Sequence, residues 1–238
     1  MHNQYSSPRN EDPRNSKFKM KGFLGELSGV ALKEFTSMKF ISTQAKGTIL
    51  FIEGQPALGL HILREGQAKL SITSSRGRSL TLRFTSPGEV LGLMATLCGK
   101  PYEVTAEVFH LCQTEFIRAR DLIGFFSEHP EAYQSAVRQM SSDCLAAAET
   151  LRTICVSSQV TAKLARLLLN RSIGAAETKD GISVPWPLTH EEVAECIGTT
   201  RESVTRAFTK FRNRRLVAFN GSTVTIPDRQ ALMNLAAA

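Results

Sequence analysis

The spacing of apolar residues along the chain changes near residue 130. Before it, between residues 40 and 118, short runs of β-favouring residues alternate with glycines at positions 47, 54, 66, 77 and 88. Strands at such short spacing, separated by turn residues, are typical of an antiparallel sandwich or barrel. The clearest turn signals are EGQP at 53–56 and REGQ at 64–67. The predicted strands are Thr48–Ile52, Gly59–Leu63, Ala68–Thr73, Leu80–Phe84, Thr105–Val108 and Cys112–Arg118.

A long helix is predicted over 130–157, which contains no glycine and no proline after Pro130. Such a helix is about 40 Å long at 1.5 Å per residue, and it must pack along its length. Small and apolar residues recur in it every seven positions, as in a heptad seam. This spacing favours either a core helix within the chain or, at least equally, a homodimer seam. The seam residues are Val137, Met140, Cys144, Ala147, Leu151 and Ile154.

The last part of the chain predicts a helix-turn-helix. A helix at Val160–Arg171 is followed by a loop rich in turn formers. Thr189, with Glu192 three residues later, is typical of a capping box that starts a helix ending at Gly198. A second helix follows from Thr200 to about residue 213. Two short helices joined by a glycine-containing turn form this motif.

A hairpin is predicted directly after the second helix. Leu216–Ala218 and Thr223–Ile226 favour strands, and Asn220-Gly221 between them is typical of a primed two-residue turn. Such a hairpin would make the domain a winged helix-turn-helix.

The second helix has two faces when its residues are placed at about 100° intervals. Val204, Ala207, Phe208 and Phe211 share one side and predict a buried stripe. The opposite side carries polar groups that can bind bases in the major groove of double-stranded DNA, since Arg binds guanine bidentately and Glu accepts from cytosine. This predicted free face consists of Arg201, Glu202, Thr205, Arg206 and Thr209.

Charge strengthens the DNA-binding hypothesis. The net charge is +7, and residues 198–216 hold six basic side chains against one acidic one. A local basic cluster is typical of a polyanion site, although a solvated helix face explains it too. The 42% hydrophobic content argues against disorder, and no apolar run approaches the roughly 20 residues of a membrane span. The polar N-terminus does not resemble a secretory signal. We therefore expect a cytoplasmic protein without a membrane partner.

The five cysteines are odd in number and match no metal-site or disulfide spacing. We expect reduced, mostly buried thiols and no metal. A redox role for Cys98 or Cys112 is the alternative hypothesis, against which stands the usual inertness of buried thiols. No nucleophile–base set, phosphate loop or metal cluster indicates a catalytic site, so we expect that the chain is not an enzyme.

The order of these parts resembles the Crp/Fnr family of regulators over about residues 28–228. The glycine spacing of the first part and PGEVLG at 87–92 are similar to that family, and TTRESVTRAF at 199–208 is similar to its recognition helix. The Arg-Glu-x-x-x-Arg pattern resembles the catabolite activator branch, which implies a TGTGA-type half-site. The resemblance also implies phosphate contacts at Thr189, His190, Thr200 and Gly221, a homodimer, and RNA polymerase as a possible partner of the loop 172–183.

The nucleotide-binding positions depart from that family. In the cyclic-AMP binders of that family, the nucleotide-binding segment of the β-roll carries Gly-Glu-Leu and Arg-Ser, and the long helix carries Thr-Ser. Leucine cannot bond a ribose hydroxyl, and glutamate repels a phosphate. We therefore expect no cofactor and no cyclic AMP in the family's usual geometry, and leave another effector open. The residues at these positions are Gly92, Leu93, Met94, Glu103, Val104, Ala148 and Glu149.

The sequence thus predicts an α+β chain: an antiparallel β-roll like a cyclic-nucleotide-binding jelly roll, a long dimerisation helix, and a C-terminal winged helix-turn-helix. The predicted bounds are a mobile tail at 1–22, the roll at 23–129, the helix at 130–157 and the winged domain at 158–238. The predicted function is a homodimeric transcription regulator. The alternative is a small-ligand or redox sensor whose winged domain contacts another protein.

Overall fold

The computed structural model describes residues 22–155 and 159–237. The predicted N-terminal tail, apart from Gly22, lies outside these residues. The described chain forms two compact units, which divide within the long helix at residues 146 and 147, and the short segment 79–81 groups with the second unit. No helix in the described ranges is both long and apolar enough to cross a membrane.

The first unit is built around an antiparallel β-sheet of six strands. Two long strands lie at its centre, flanked by short ones, in the order β1-β6-β3-β4, with β2 on β6 and β5 on β3. This confirms the antiparallel β-roll. The strands are β1 (Phe40–Gln44), β2 (Ile49–Phe51), β3 (Gly59–Thr73), β4 (Ser79–Phe84), β5 (Val90–Leu91) and β6 (Thr105–Arg118).

The two central strands correct the sequence prediction, which divided each of them in two. REGQ at 64–67 is not a turn, because β3 continues through it with irregular register against β6. Gly66 lies so close to the facing strand that a Cβ there would stand 2.0 Å from the Leu111 carbonyl oxygen. Its φ of +83° fits a bulge that bends the strand. Gly66 is therefore needed where two backbones approach closely, and it bends β3 without ending the strand.

Helices cover one face of this sheet, and the sequence prediction did not include the first three of them. They are α1 (Gly29–Ser37), α2 (Leu93–Cys98) and α3 (Ala119–Glu128), preceded by a 3₁₀ helix at Gly22–Glu26. Their apolar sides form one core with β3 and the start of the long helix. A second cluster, centred on Phe51, Leu91 and Tyr102, packs elsewhere against the same strands.

The long helix α4 spans Ala132–Cys155, close to the predicted range. Its first turns bury Ala132, Ser135 and Ala136. Beyond them most of the described side chains are exposed. The helix therefore leaves a long surface uncovered by its own chain.

The second unit contains α5 (Val160–Arg171), α6 (His190–Ile197), α7 (Arg201–Asn213) and α8 (Arg229–Ala237). Its four-stranded antiparallel sheet has the order β7-β8-β10-β9. The predicted helix-turn-helix and wing are both present. The strands are β7 (Ala176–Thr178), β8 (Gly181–Pro185), β9 (Ala218–Asn220) and β10 (Thr223–Ile226).

Three predictions in this unit require correction. The expected loop after α5 folds into the β7–β8 hairpin, because β8 pairs with β10 of the wing over four residues. The first wing strand begins at Ala218 instead of Leu216, since Leu216 and Val217 are buried in the core before it. The turn of the wing consists of Gly221 and Ser222 instead of the predicted Asn220 and Gly221, because Asn220 still pairs with Thr223. Gly221 has a φ of +58°, as a central position of a primed turn requires. The α+β fold class is confirmed.

Candidate nucleic-acid interface

The turn between α6 and α7 is fixed by local sequence. Thr189 caps α6 by accepting from the Glu192 backbone N–H, while the Glu192 carboxylate accepts from the Thr189 backbone N–H, so the predicted capping box is present. The helix ends at Gly198, whose φ of +62° is left-handed. Thr200 then caps α7 through a hydrogen bond from the Ser203 backbone N–H. These caps satisfy helix-end N–H groups that would otherwise lack partners.

The apolar stripe of α7 anchors it to the unit. Val204, Ala207, Phe208 and Phe211 are all at most 3% exposed, as the sequence predicted. The Phe208 ring meets Trp186 edge-on at 6.0 Å and the wing residue Phe219 at 5.1 Å. This packing fixes the rotation of α7 about its axis, and therefore decides which residues point away from the core.

The predicted free face is exposed along the whole helix. Arg201, Glu202, Thr205, Arg206 and Thr209 are all exposed. The Glu202 carboxylate accepts from its own backbone N–H and from Thr200, and these bonds, with the charges of Arg201 and Arg206, hold its pKa below the usual range. At neutral pH the face therefore presents one carboxylate between two guanidinium groups.

Ser203 is a residue of this surface that the sequence analysis missed. Its hydroxyl accepts from the Arg206 guanidinium at 3.0 Å and lies 3.2 Å from the Thr200 hydroxyl. The i, i+3 spacing of Ser203 and Arg206 on one helix was the available signal. Because the guanidinium is held along the helix, Arg206 loses less side-chain freedom when it binds a ligand.

The threonine hydroxyls on α7 are committed to the backbone. Thr205 donates to the Arg201 carbonyl and Thr209 donates to the Thr205 carbonyl, each at 3.0 Å. A hydroxyl has a single proton, so these oxygens are left as acceptors. What the two residues offer at the surface is a lone pair and a methyl group.

The residues that the resemblance linked to phosphate occupy different surroundings. The Thr189 hydroxyl also donates to Glu192 at 2.9 Å, so a phosphate would have to displace that carboxylate. His190 begins α6, and its Nδ1 lies 2.8 Å from the Thr205 hydroxyl oxygen. Thr200 and Gly221 are exposed, at the start of α7 and at the tip of the wing respectively.

Exposed basic residues extend the surface beyond the free face. Lys210, Arg212, Arg214 and Arg215 follow one another through the end of α7. Arg215 has a φ of +56° and is the one non-glycine residue of the described chain with a positive φ. That conformation lets the Leu216 backbone N–H bond to the Phe211 carbonyl and close the helix end. The surface therefore remains strongly cationic to its end.

The degenerate nucleotide positions in the first unit do not form a polar cluster. Leu93 is 3% exposed and belongs to the helix-covered core, while Met94 is 48% exposed. Glu103 is exposed and Val104 packs partly against the Phe51 cluster. Gly92 is the N-cap residue that precedes α2 and has a φ of +77°. The remaining two positions, Ala148 and Glu149, are exposed on α4 in the second unit.

Tyr102 is a residue of this region that the sequence analysis did not single out. A Cβ at Gly92 would lie 2.7 Å from the Tyr102 ring. The ring also stacks on Phe51 at 4.1 Å, and its hydroxyl donates to the Gly59 carbonyl at 2.5 Å. The space over Gly92 is therefore filled by a side chain that is anchored at both ends.

The seam residues of α4 differ in exposure. Val137 and Leu151 are 53% and 57% exposed, and Cys144 and Ala147 are exposed as well. Met140 instead packs against the helix-covered core of its own chain. The Ile154 side chain lies outside the described residues.

The four cysteines whose side chains the structure describes are free but not mostly buried, which corrects the sequence expectation for them; the Cys155 side chain lies outside the described residues. Cys98 and Cys144 are exposed and Cys196 is intermediate. Cys112 is buried, its thiol donates to backbone carbonyls, and burial raises its pKa. A protonated, buried thiol reacts poorly, so the geometry argues against a redox role for Cys112. In the described ranges, no three His, Cys, Asp or Glu residues are placed to hold a metal ion.

Two family models match the chain in the order of its units. Residues 43–129 match the cyclic nucleotide-binding domain and residues 162–235 match the Crp-like helix-turn-helix domain. Together they cover most of the described chain.

Relatives with the same arrangement extend over most of the chain. The global nitrogen regulator of Nostoc sp. is 25% identical over 191 residues, which are 78% of this chain and 84% of that protein. The CRP-like cAMP-activated global transcriptional regulator of Mycobacterium tuberculosis is 23% identical over 188 residues, 79% of this chain and 84% of that protein. The crystal structure of a CRP-family transcriptional regulator from Thermus thermophilus is 26% identical, with a TM-score of 0.67 over 83% of this chain and 97% of that one.

These proteins are transcription regulators, in agreement with the prediction of a regulator instead of an enzyme. The two family models, the β-roll and the winged helix-turn-helix lead to one assignment. The chain belongs to the Crp/Fnr family of DNA-binding transcription regulators.

Proposed function

We propose that the chain binds a specific DNA sequence by placing α7 in the major groove. The observation that carries the proposal is the division of α7 into an apolar stripe of four buried residues and a free face that exposes Arg201, Glu202 and Arg206. Recognition helices contact base edges mainly with their N-terminal residues. The three charged side chains all lie within the first two turns of the helix.

The chemistry of the face suggests which bases it prefers. Each guanidinium can bond bidentately to guanine O6 and N7, and the ionised Glu202 can accept from cytosine N4. The Thr205 methyl group can pack against a thymine methyl, since its hydroxyl proton is bonded to the Arg201 carbonyl. A TGTGA-type half-site offers these groups, and we propose it for this chain.

We further propose that the active form is a homodimer assembled along α4. Val137, Cys144 and Leu151 recur every seven residues and are exposed, so they form an uncovered stripe on a long helix. A two-fold axis would place two α7 helices in successive major grooves about 34 Å apart, and the site would be a near-palindrome. Met140 contributes less than the sequence suggested, because it already packs within its own chain.

We also propose that this chain does not bind cyclic AMP in the geometry that is usual for the family. Leu93 is buried in the apolar core, and Glu103 would place a negative charge beside the cyclic phosphate. Like charges at such a distance repel. The fold does not decide the effector, since proteins similar to this chain include a c-di-GMP responsive regulator of Xanthomonas campestris with the same fold and a cAMP-activated regulator of Mycobacterium tuberculosis. Titration calorimetry that gave tight, stoichiometric cyclic-AMP binding would refute this part of the proposal.

A second candidate function, signalling through protein contacts of the winged domain, is disfavoured by the charge of the same face. Surfaces that bind proteins are depleted of charged residues at their centre, whereas the free face of α7 carries three of them. RNA polymerase remains a candidate partner for the β7–β8 hairpin, which is exposed throughout β7. Action on DNA and polymerase would place the protein in the cytoplasm.

Selection of bound sequences from a random DNA library tests the proposal most directly. The full chain is used, with and without cell extract, so that a diffusible effector is detected in the same experiment. We expect an enriched near-palindrome with TGTGA-type half-sites one helical turn apart. Enrichment of no sequence in either condition would refute specific recognition, and a single asymmetric half-site would refute the dimer.

A further inference from the structure

His190 on α6 contacts the exposed face of α7 through Thr205, whose hydroxyl oxygen lies 2.8 Å from His190 Nδ1. We propose that His190 binds a DNA phosphate through Nε2 only when its ring is protonated, while its Nδ1 stays fixed on Thr205. DNA binding would then take up protons. The inference rests on the proposed function, because it needs α7 in the major groove.

The hydrogen bonds around Thr205 determine which ring nitrogen is available. The Thr205 hydroxyl donates to the Arg201 carbonyl at 3.0 Å, and a carbonyl can only accept. Both contacts are satisfied together only when the single hydroxyl proton goes to the carbonyl and the hydroxyl oxygen accepts from His190 Nδ1, which lies 2.8 Å away. The neutral ring therefore carries its proton on Nδ1, and Nε2 is left with a lone pair.

The ring cannot easily turn to offer the other nitrogen. It stacks on the buried Phe208 ring with centroids 5.2 Å apart and planes inclined by 18°. Phe208 itself is fixed between Trp186 and Phe219. A ring flip would break the bond to Thr205. Moving the proton from Nδ1 to Nε2 would cost one of the two hydrogen bonds of the Thr205 hydroxyl, so the Nδ1–H form is the more stable one in the free protein.

A neutral His190 does not suit a phosphate. In a helix-turn-helix the first helix crosses the DNA backbone while the second enters the groove. His190 is the first residue of that first helix and adjoins the face we assign to the bases. A lone pair on Nε2 would oppose a phosphate oxygen, which is also an acceptor, whereas a protonated ring donates to it with charge assistance.

The charged groups around the ring keep it neutral in the free protein. Burial is the main cause that lowers the His190 pKa, and the positive charges of Arg201 and Arg212 on α7 lower it further. On its own helix, Glu192 is engaged by Thr189 and Glu191 points to solvent as an exposed residue. A bound phosphate supplies the negative charge that reverses the effect, so the His190 pKa is higher in the complex than in the free protein.

The sign of the pH dependence follows from this difference. The protonated form binds DNA more tightly, so affinity rises as pH falls through the pKa of the complex and levels off below the pKa of the free protein. Between those two values the gain approaches one proton per protomer, or about tenfold in affinity per pH unit per protomer.

The test is DNA affinity against pH from about 5.5 to 8.5 at constant ionic strength, a range that brackets the usual pKa of histidine, using the full chain and its selected site. His190→Gln is the central variant, because its amide N–H occupies the position of Nε2 without a titration. We expect the wild type to bind more tightly as pH falls and His190→Gln to vary by less than about threefold over the range. Equal pH slopes for both proteins would overturn the proposal.

Two further variants show which histidine causes the change of DNA affinity with pH. His190→Asn keeps a donor at the position of Nδ1 but none at Nε2, so we expect weak binding without a pH slope. His129→Gln is the matched control, since His129 lies in the first unit, where its hydrogen bond to the Glu34 carboxylate raises its pKa. That control should keep the wild-type slope; loss of the slope there would assign the proton uptake to His129 and refute our assignment.

An NMR titration of the His190 ring in the wild type supplies a measurement that needs no variant. Addition of the selected DNA should raise the pKa of that ring, and an unchanged or lowered pKa would refute the proposal. Failure of the proposed function has a different signature, because the wild type would then fail to prefer its selected DNA over random DNA at any pH.

Discussion

Replacing Arg206 with alanine tests the assignment of α7 as the base-contacting helix. The side chain is exposed and its contact within the chain is a hydrogen bond to Ser203, itself on the surface of α7, so we expect the fold to persist. A bidentate Arg–guanine pair discriminates by roughly 1–3 kcal/mol. On one half-site the variant should therefore bind about 5- to 150-fold more weakly. A dimer on a palindrome loses this at both ends, or roughly 2–6 kcal/mol in total.

The assay is a fluorescence-anisotropy titration of the selected site, of sites mutated at one base pair, and of random DNA. Lys210→Ala is the matched control, because it removes the same charge from the same exposed helix at a later position. A phosphate-contacting lysine weakens specific and random DNA alike and lowers the salt slope by about one. Arg206→Ala should instead lose its preference at a single base pair per half-site. Equal losses on specific and random DNA for Arg206→Ala would refute base contact.

Three further predictions follow from other parts of the chain. If α4 forms a two-fold seam, mild oxidation should join two chains by a disulfide between their Cys144 residues and give a dimer band on non-reducing gels. Cys144→Ser should remove that band, and its persistence would exclude a seam in which the two Cys144 residues face each other. Glu115 is 2% exposed and accepts from two cationic side chains at 2.8 and 2.7 Å. Glu115→Ala should therefore lower the free energy of unfolding of the first unit by about 3–5 kcal/mol in urea titrations. Arg215→Gly should raise the free energy of unfolding by up to about 1 kcal/mol, because glycine adopts the left-handed conformation of this position without strain. The same variant should weaken binding to specific and to random DNA equally, because it removes a positive charge. Unchanged DNA affinity would contradict a phosphate contact by Arg215.

The sequence by itself determined the features that depend on local chemistry. The capping box at Thr189 and the helix end at Gly198 follow from short-range hydrogen bonding and backbone freedom, and both were predicted in place. The two faces of α7 follow from a period of about 3.6 residues, which is a property of any helix. For the same reason, the surface formed by Arg201, Glu202 and Arg206 could be predicted before any tertiary contact was known.

Tertiary structure decided whatever depends on a distant partner. Gly66 carries the same turn signal as other glycines, but β6 lies against it and turns a predicted break into a bulge of β3. The β7–β8 hairpin exists because β10, some forty residues later, supplies an edge for β8. The Nδ1 contact of His190 requires α6 to pack against α7, where the His190 ring also stacks on Phe208. A sequence pattern records the preference of each segment, whereas the partner that satisfies or overrides that preference appears only when the chain is folded.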